Sequence, residues 1–209
     1  MKLAIFDLDG TLVDSAPDIA AVLNRALARQ KLAPFTVPEV AAMVGDGAHA
    51  LLVKAFTARG ATLTDDVIPP FLADLEANSA NLTQPYEGIE AALATMGVAG
   101  WRAAVCTNKP VAAAQALLRA LGMLRFFELV VGGDTLPVRK PDPGHVRGVL
   151  EAMHMSPAQS VMIGDHQNDI LAAKGAGVRT VFAAWGYGRG DGADLVAKRP
   201  QDLPFLLGS

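Results

Sequence analysis

The chain has 209 residues, a formal net charge of −3 and 51% hydrophobic residues, which suits one domain, or a domain carrying a sizeable insertion, with a full apolar core. Only 19% of residues are charged and no long basic run occurs, so nucleic acid is not expected as a partner, because duplex binding needs clustered Lys and Arg. The single cysteine, Cys106, excludes an internal disulfide, and neither a signal segment nor an apolar run of membrane-spanning length is evident; a cytoplasmic protein without membrane contact is expected.

The first apolar run, LAIF (3–6), ends in Asp7, followed by Asp9 and Gly10. In an extended segment, alternate residues point the same way, and glycine lets the backbone turn at once. Two carboxylates facing one point repel each other unless a cation is near. From Ser15 to about Pro85 the pattern turns helical: DIAAVLNRALARQ, VPEVAAMV, AHALLVKAFTARG and DVIPPFLADLEANSANL place apolar residues at helix spacing. Ser15 is expected to cap the first of these helices, with Pro17 and Asp18 in its first turn. Alternation then resumes. RAAVCT (102–107), ELVVGG (128–133), SVMIGD (160–165) and RTVFAA (179–184) read as strands, with helices near 88–96, 110–122, 143–154 and 168–176.

Strands alternating with helices predict an α/β fold with a doubly wound parallel sheet, formed by residues 1–14 and 86–209, and an inserted helical cap domain over 15–85. Ligands of such sheets collect where strands end, and the runs end in Asp7, Thr107, Asp134 and Asp165. Asp169, four residues past Asp165, falls over the same face if a helix starts there. Three or four converging carboxylates make a hard oxygen site best suited to Mg2+, which keeps waters and partners a substrate phosphate. Lys140, with Thr107 and Asn108, supplies a cation and donors for a tetrahedral anion. The crossings near Ser15 and TQPYEG (83–88) make natural hinges for a lid.

DLDGTLVDS, TN at 107–108, KP at 140–141 and GDHQND at 164–169 together resemble the four ordered motifs of the haloacid dehalogenase superfamily, over essentially the whole chain. YEG after the cap, GGDTLPVRKPDP and WGYG (185–188) are similar to phosphoglycolate phosphatases. The resemblance implies that Asp7 is the nucleophile that forms an aspartyl-phosphate and that Asp9 is the general acid and base. It implies a metal held by Asp7, the backbone carbonyl of Asp9, and Asp165, with Asp169 in or near the shell, and a phosphoryl group held by Thr107 and Lys140. Dehalogenases lack an acid at the Asp9 position, which favours phosphate transfer. The implied activity is Mg2+-dependent hydrolysis of a small phosphorylated metabolite, 2-phosphoglycolate first, by a monomer or homodimer. The alternatives are another small phosphate ester or pyrophosphate, a phosphomutase, or a phosphate-binding regulatory protein without turnover.

The cap is expected to choose the substrate. VGDGAHALL (44–52) offers a tight turn at Gly45, Asp46 and Gly47 leading into a helix, and free amides at a helix start suit the carboxylate of phosphoglycolate; an ordinary helix–helix turn is the plain alternative. His166 stands where the family often has a small residue, and a solvent-facing loop is its expected setting. Glu87 replaces a more usual proline at the cap's exit. Cys106 reads as a packing thiol, while His49, His145 and His154 lack metal-ligand spacing. Trp185 and Tyr187 either pack a glycine-rich turn or support the site.

Overall fold

The computed structural model describes residues 2–78 and 80–208, so Met1, Ser79 and Ser209, which fall within the predicted segments, lie outside the described residues. The chain runs through β1 (Lys2–Phe6), β2 (Val13–Asp14), α1 (Ala16–Arg29), α2 (Val37–Ala41), α3 (Ala48–Ala58), α4 (Ile68–Ala77) and β3 (Gln84–Pro85). There follow α5 (Ile89–Val98), β4 (Trp101–Cys106), α6 (Val111–Ala120), β5 (Leu129–Val131), α7 (Pro143–Met153), β6 (Ser160–Gly164), α8 (Gln167–Gly175), β7 (Arg179–Ala183), β8 (Leu195–Ala197) and α9 (Leu203–Leu206).

Six strands form a parallel sheet in the order β5-β4-β1-β6-β7-β8. All five expected strands are in it. The sixth, β8, has three residues and a half-exposed Val196, too short for an alternating pattern to show. Successive side chains of β1 go to opposite faces. Leu3 and Ile5 pack with Cys106, Met162, Val149 and Ala172 beneath α7 and α8; Ala4 and Phe6 pack with Val105, Ile163, Leu93 and Leu117 beneath α5 and α6. The result is three layers, with each buried Leu, Ile or Phe contributing about 1.5–3 kcal/mol.

The chain leaves β1 for β4 on one side and returns to β6 on the other, so the switch point lies at β1. A crevice opens there between connections that run opposite ways. Asp7, Thr107 and Asp165 each follow one of these three central strands.

Helices α1 to α4 are inserted between β1 and β4 and share a third apolar cluster drawn wholly from residues 19–75, including Ile19, Leu23, Leu27, Val40, Leu52, Phe56 and Phe71. Along α1 these fall at helical spacing, which buries one stripe. The two crossings between sheet and insertion pair with each other, Val13 with Pro85 and Asp14 with Gln84, as an antiparallel ribbon. Asp18 fastens this junction: its Oδ2 accepts from the Leu82 and Thr83 amides at 2.8 Å and the Thr83 hydroxyl at 2.7 Å. Among the described residues, no helix is long and apolar enough to cross a membrane.

Candidate active site

The β1 ladder continues one residue past the strand, where the Asp7 amide donates to the Ile163 carbonyl at 2.9 Å. The chain then curls: the Leu8 carbonyl accepts from the amides of Thr11, Leu12 and Val13, and Gly10 takes φ +86°. A side chain at Gly10 would put its Cβ 2.4 Å from Asp165 Oδ2. Glycine there both permits the turn and lets the Asp165 carboxylate approach.

Three of the predicted acids converge. Asp7, Asp165 and Asp169 are buried and offer oxygens within 4.8 Å of one another. Lys140 is buried among them, its Nζ 2.9 Å from Asp7 Oδ1 and 2.6 Å from Asp169 Oδ1. Thr11 Oγ1 and the Tyr187 amide each donate to Asp165 at 2.8 Å, and the His166 amide donates to Asp169 at 3.0 Å. Burial pushes the Asp7 carboxyl up to about 8; Lys140 opposes this, while Asp169 and Asp165 add to it. Burial and then Asp169 push Asp165 up to about 6, against the Tyr187 amide, the Thr11 hydroxyl and Lys140. Burial disfavours the Lys140 charge, but Asp169 and Asp7 more than reverse this and leave its pKa raised.

Such a cluster fits a divalent cation. One ammonium does not balance three carboxylates, and Asp7 Oδ1, though close to Lys140, is buried without an aligned hydrogen bond, which leaves it free as a ligand. Asp9 is outside this carboxylate group. Its carboxylate is held by Lys109, with Nζ at 3.1 and 3.3 Å from the two oxygens, and by the Ser15 hydroxyl at 2.5 Å.

A cavity opens over Asp7 and Asp9, lined with them by Thr107 and Lys109 on the sheet side and by Ile19, Gly45, Gly47 and Leu51 on the inserted side. Gly45 and Gly47 adopt positive φ, and the turn feeds α3 with Gly47 at its cap. A Cβ at Gly47 would lie 3.0 Å from the Asn108 carbonyl, so the turn rests directly on the loop after β4.

Asn108 lines the cavity, and its side-chain amide donates to the Gly45 carbonyl at 2.9 Å and the Lys140 carbonyl at 2.8 Å, a strut between the inserted turn and the core. Other expectations need correction. Asp46 does not line the cavity, since Lys54 holds it at 2.5 Å and Asn168 at 2.6 Å. Ser15 does not cap α1 with its side chain: its backbone sits at φ −100°, ψ −3° rather than extended, and its hydroxyl donates to Asp9. Asp134 stands away from the acids and accepts from the Val111 amide at the start of α6. His166 is half-buried rather than solvent-facing, with its ring where a Gly45 side chain would go. Tyr187 supports the site: its hydroxyl reaches Asp14 at 2.6 Å and the Ser15 amide at 2.8 Å. Sequence reasoning missed Lys109 and Thr11; Thr11 sits inside DLDGTLVDS and Lys109 directly follows TN at 107–108, and a cation in the loop after a central strand was the available signal for Lys109. Cys106 is buried as expected, and burial pushes its thiol up to about 12.

The comparisons agree with this geometry. The model for haloacid dehalogenase-like hydrolases matches residues 4–183. The chain is 41% identical over 191 residues to a phosphoglycolate phosphatase of Cereibacter sphaeroides, covering 90% of this chain and 87% of that one. It is also 41% identical over 207 residues to the Caulobacter vibrioides phosphoglycolate phosphatase, covering 95% and 87%. A crystal structure described as a predicted phosphoglycolate phosphatase from Haemophilus somnus superposes with a TM-score of 0.92 at 31% identity, covering 99% of this chain and 98% of that one. CbbY from Rhodobacter sphaeroides, in complex with phosphate, shares the fold alone, with a TM-score of 0.81 at 24% identity over 97% and 96% of the two chains. A parallel sheet whose central strands end in this acid cluster, matched over most of its length by one family, places the chain among the haloacid dehalogenase-like hydrolases.

Proposed function

We propose that the protein is a Mg2+-dependent phosphomonoesterase that hydrolyses 2-phosphoglycolate to glycolate and phosphate. The observation that carries this reading is the placement of Asp7 and Asp9 on the wall of one cavity, roofed by the start of α3. Asp7, Asp165 and Asp169 would hold the metal, which when bound supplies positive charge against the phosphoryl oxygens and the crowded acids. An Asp7 carboxylate oxygen attacks phosphorus and the bond to the leaving oxygen breaks, while Asp9, which takes up a proton from solvent on leaving Lys109, delivers it to that oxygen. Asp9 then takes a proton from water as the water attacks the aspartyl-phosphate, releasing phosphate and restoring Asp7. Thr107 and Lys140 hold the transferring group.

Residues 15–85 act as a lid on a core of 1–14 and 86–209, with the β2–β3 ribbon as its hinge. The amides at Gly47 and Ala48, at the start of an eleven-residue helix, face the substrate's carboxylate end. Asp46 serves this arrangement by tying the turn to Asn168. The test is phosphate release from 2-phosphoglycolate, small sugar phosphates, pyrophosphate and p-nitrophenyl phosphate, with and without Mg2+. A large Mg2+-dependent preference for phosphoglycolate is expected; comparable rates on all of them would overturn the substrate and leave the chemistry.

A further inference from the structure

Lys109 is the sole cation among the described residues that line the cavity. Its side chain is 3% exposed, and Asp9 is its ion-pair partner. The wall on the inserted side is apolar or backbone, from Ile19 through the turn at Val44, Gly45, Gly47 and Ala48 to Leu51 and Leu75. Lys140, the other buried ammonium, is committed to Asp7 and Asp169 and does not line the cavity. A negative group on the non-phosphate end of a substrate therefore has one side-chain cation to meet.

Resting on the phosphoglycolate reading, we infer that Lys109 is the specificity residue, exchanging Asp9 for the substrate's carboxylate. A buried ammonium left without a counter-charge is strongly unfavourable. Asp9 can leave the ammonium, take up a proton from solvent and turn to the leaving oxygen at low cost only when another anion takes its place on Lys109. A carboxylated ester brings that anion; a neutral alkyl ester does not, and Asp9 stays pinned. In the paired state Asp9 also accepts from the Ser15 hydroxyl at 2.5 Å. Recognition of the carboxylate and release of Asp9 become one event, so discrimination falls on kcat as well as KM.

The experiment compares kcat and KM for 2-phosphoglycolate and ethyl phosphate, which has the same carbon count without the carboxylate, in the wild type, Lys109→Met and Lys109→Gln. The preference for phosphoglycolate, as a ratio of kcat/KM values, is expected to fall roughly 10- to 100-fold in both variants, as for the loss of one charge-assisted hydrogen bond. Glutamine still hydrogen-bonds Asp9 and keeps the test available where methionine does not fold. Equal losses on the two esters would overturn the role. If the wild type prefers a different carboxylated ester and the variants lose that preference, phosphoglycolate falls and Lys109 stands; a wild type indifferent to the carboxylate overturns both.

Discussion

His145 is fully buried on α7, where its Nδ1 accepts from the Lys140 amide at 3.3 Å and its Nε2 lies 3.1 Å from the Gly132 carbonyl. A carbonyl only accepts, so Nε2 carries the hydrogen and Nδ1 is bare. Protonating Nδ1 would set two donors against each other beneath the Lys140 backbone. Burial, and then the Lys140 charge, push the imidazole down to about 4, although the Gly132 carbonyl and Asp142 oppose this. The unfolded chain, near 6.5, binds the proton more readily, so the contribution to stability is complete above pH 6.5 and is lost as pH falls toward 4. The gap corresponds to about 3 kcal/mol, most of which is gone by about pH 4.5. Urea unfolding of the wild type and His145→Gln at about pH 7.5 and about pH 4.5 isolates this contribution. Asp7 and Asp165, whose raised values give the opposite slope, are common to both proteins and cancel in the difference. The advantage of the wild type should shrink by about 2–3 kcal/mol at the lower pH. A difference that does not change with pH would mean that His145 is not held neutral, and would remove it as the clamp on Lys140.

Two further changes probe the site and its junction. Asp7→Asn should lower kcat by about 10³-fold or more, while the melting temperature without added metal stays level or rises, because one of three crowded carboxylates is gone; unfolding of this variant would contradict the charge accounting. Asp18→Ala strips three hydrogen bonds from the buried Thr83 and its neighbour and should cost about 2–4 kcal/mol in urea unfolding. A loss near zero would show that the junction does not depend on this carboxylate.

The legible parts of the fold were those with a period. LAIF, RAAVCT and SVMIGD announced strands, and because parallel strands share a direction, their final residues had to gather at one edge of the sheet. What stayed hidden was pairing. Lys109 and Asp9 are a hundred residues apart, and a lysine ahead of a proline reads the same whether it faces water or a carboxylate. Asn108 looked like a free donor because a sequence does not show where two backbone carbonyls, at Gly45 and Lys140, will stand. Ser15 failed as a side-chain cap for a related reason: capping needs an extended backbone at the N-cap, and Ser15 sits instead at φ −100°, ψ −3° with its hydroxyl donating to Asp9, a partner that the local sequence does not reveal.

Charge binds these observations together. Asp7, Asp165 and Asp169 crowd three carboxyl groups around the single ammonium of Lys140, while Asp9 is paired separately with Lys109, so the groups short of positive charge are those that would face a divalent cation. Lys140 is placed on the metal side, between the nucleophile and Asp169. Lys109 is placed on the substrate side, against Asp9 and open to the cavity. A substrate dianion with an added carboxylate would be repelled by the bare acids, so on the proposed reading the cation must be in place before the phosphate can approach. Once it is, the carboxylate end has two favourable contacts remaining, the α3 amides and Lys109, both on the cavity wall. On that reading, the separation of Lys140 from Lys109 decides which end of the substrate meets the acid cluster and which meets Lys109.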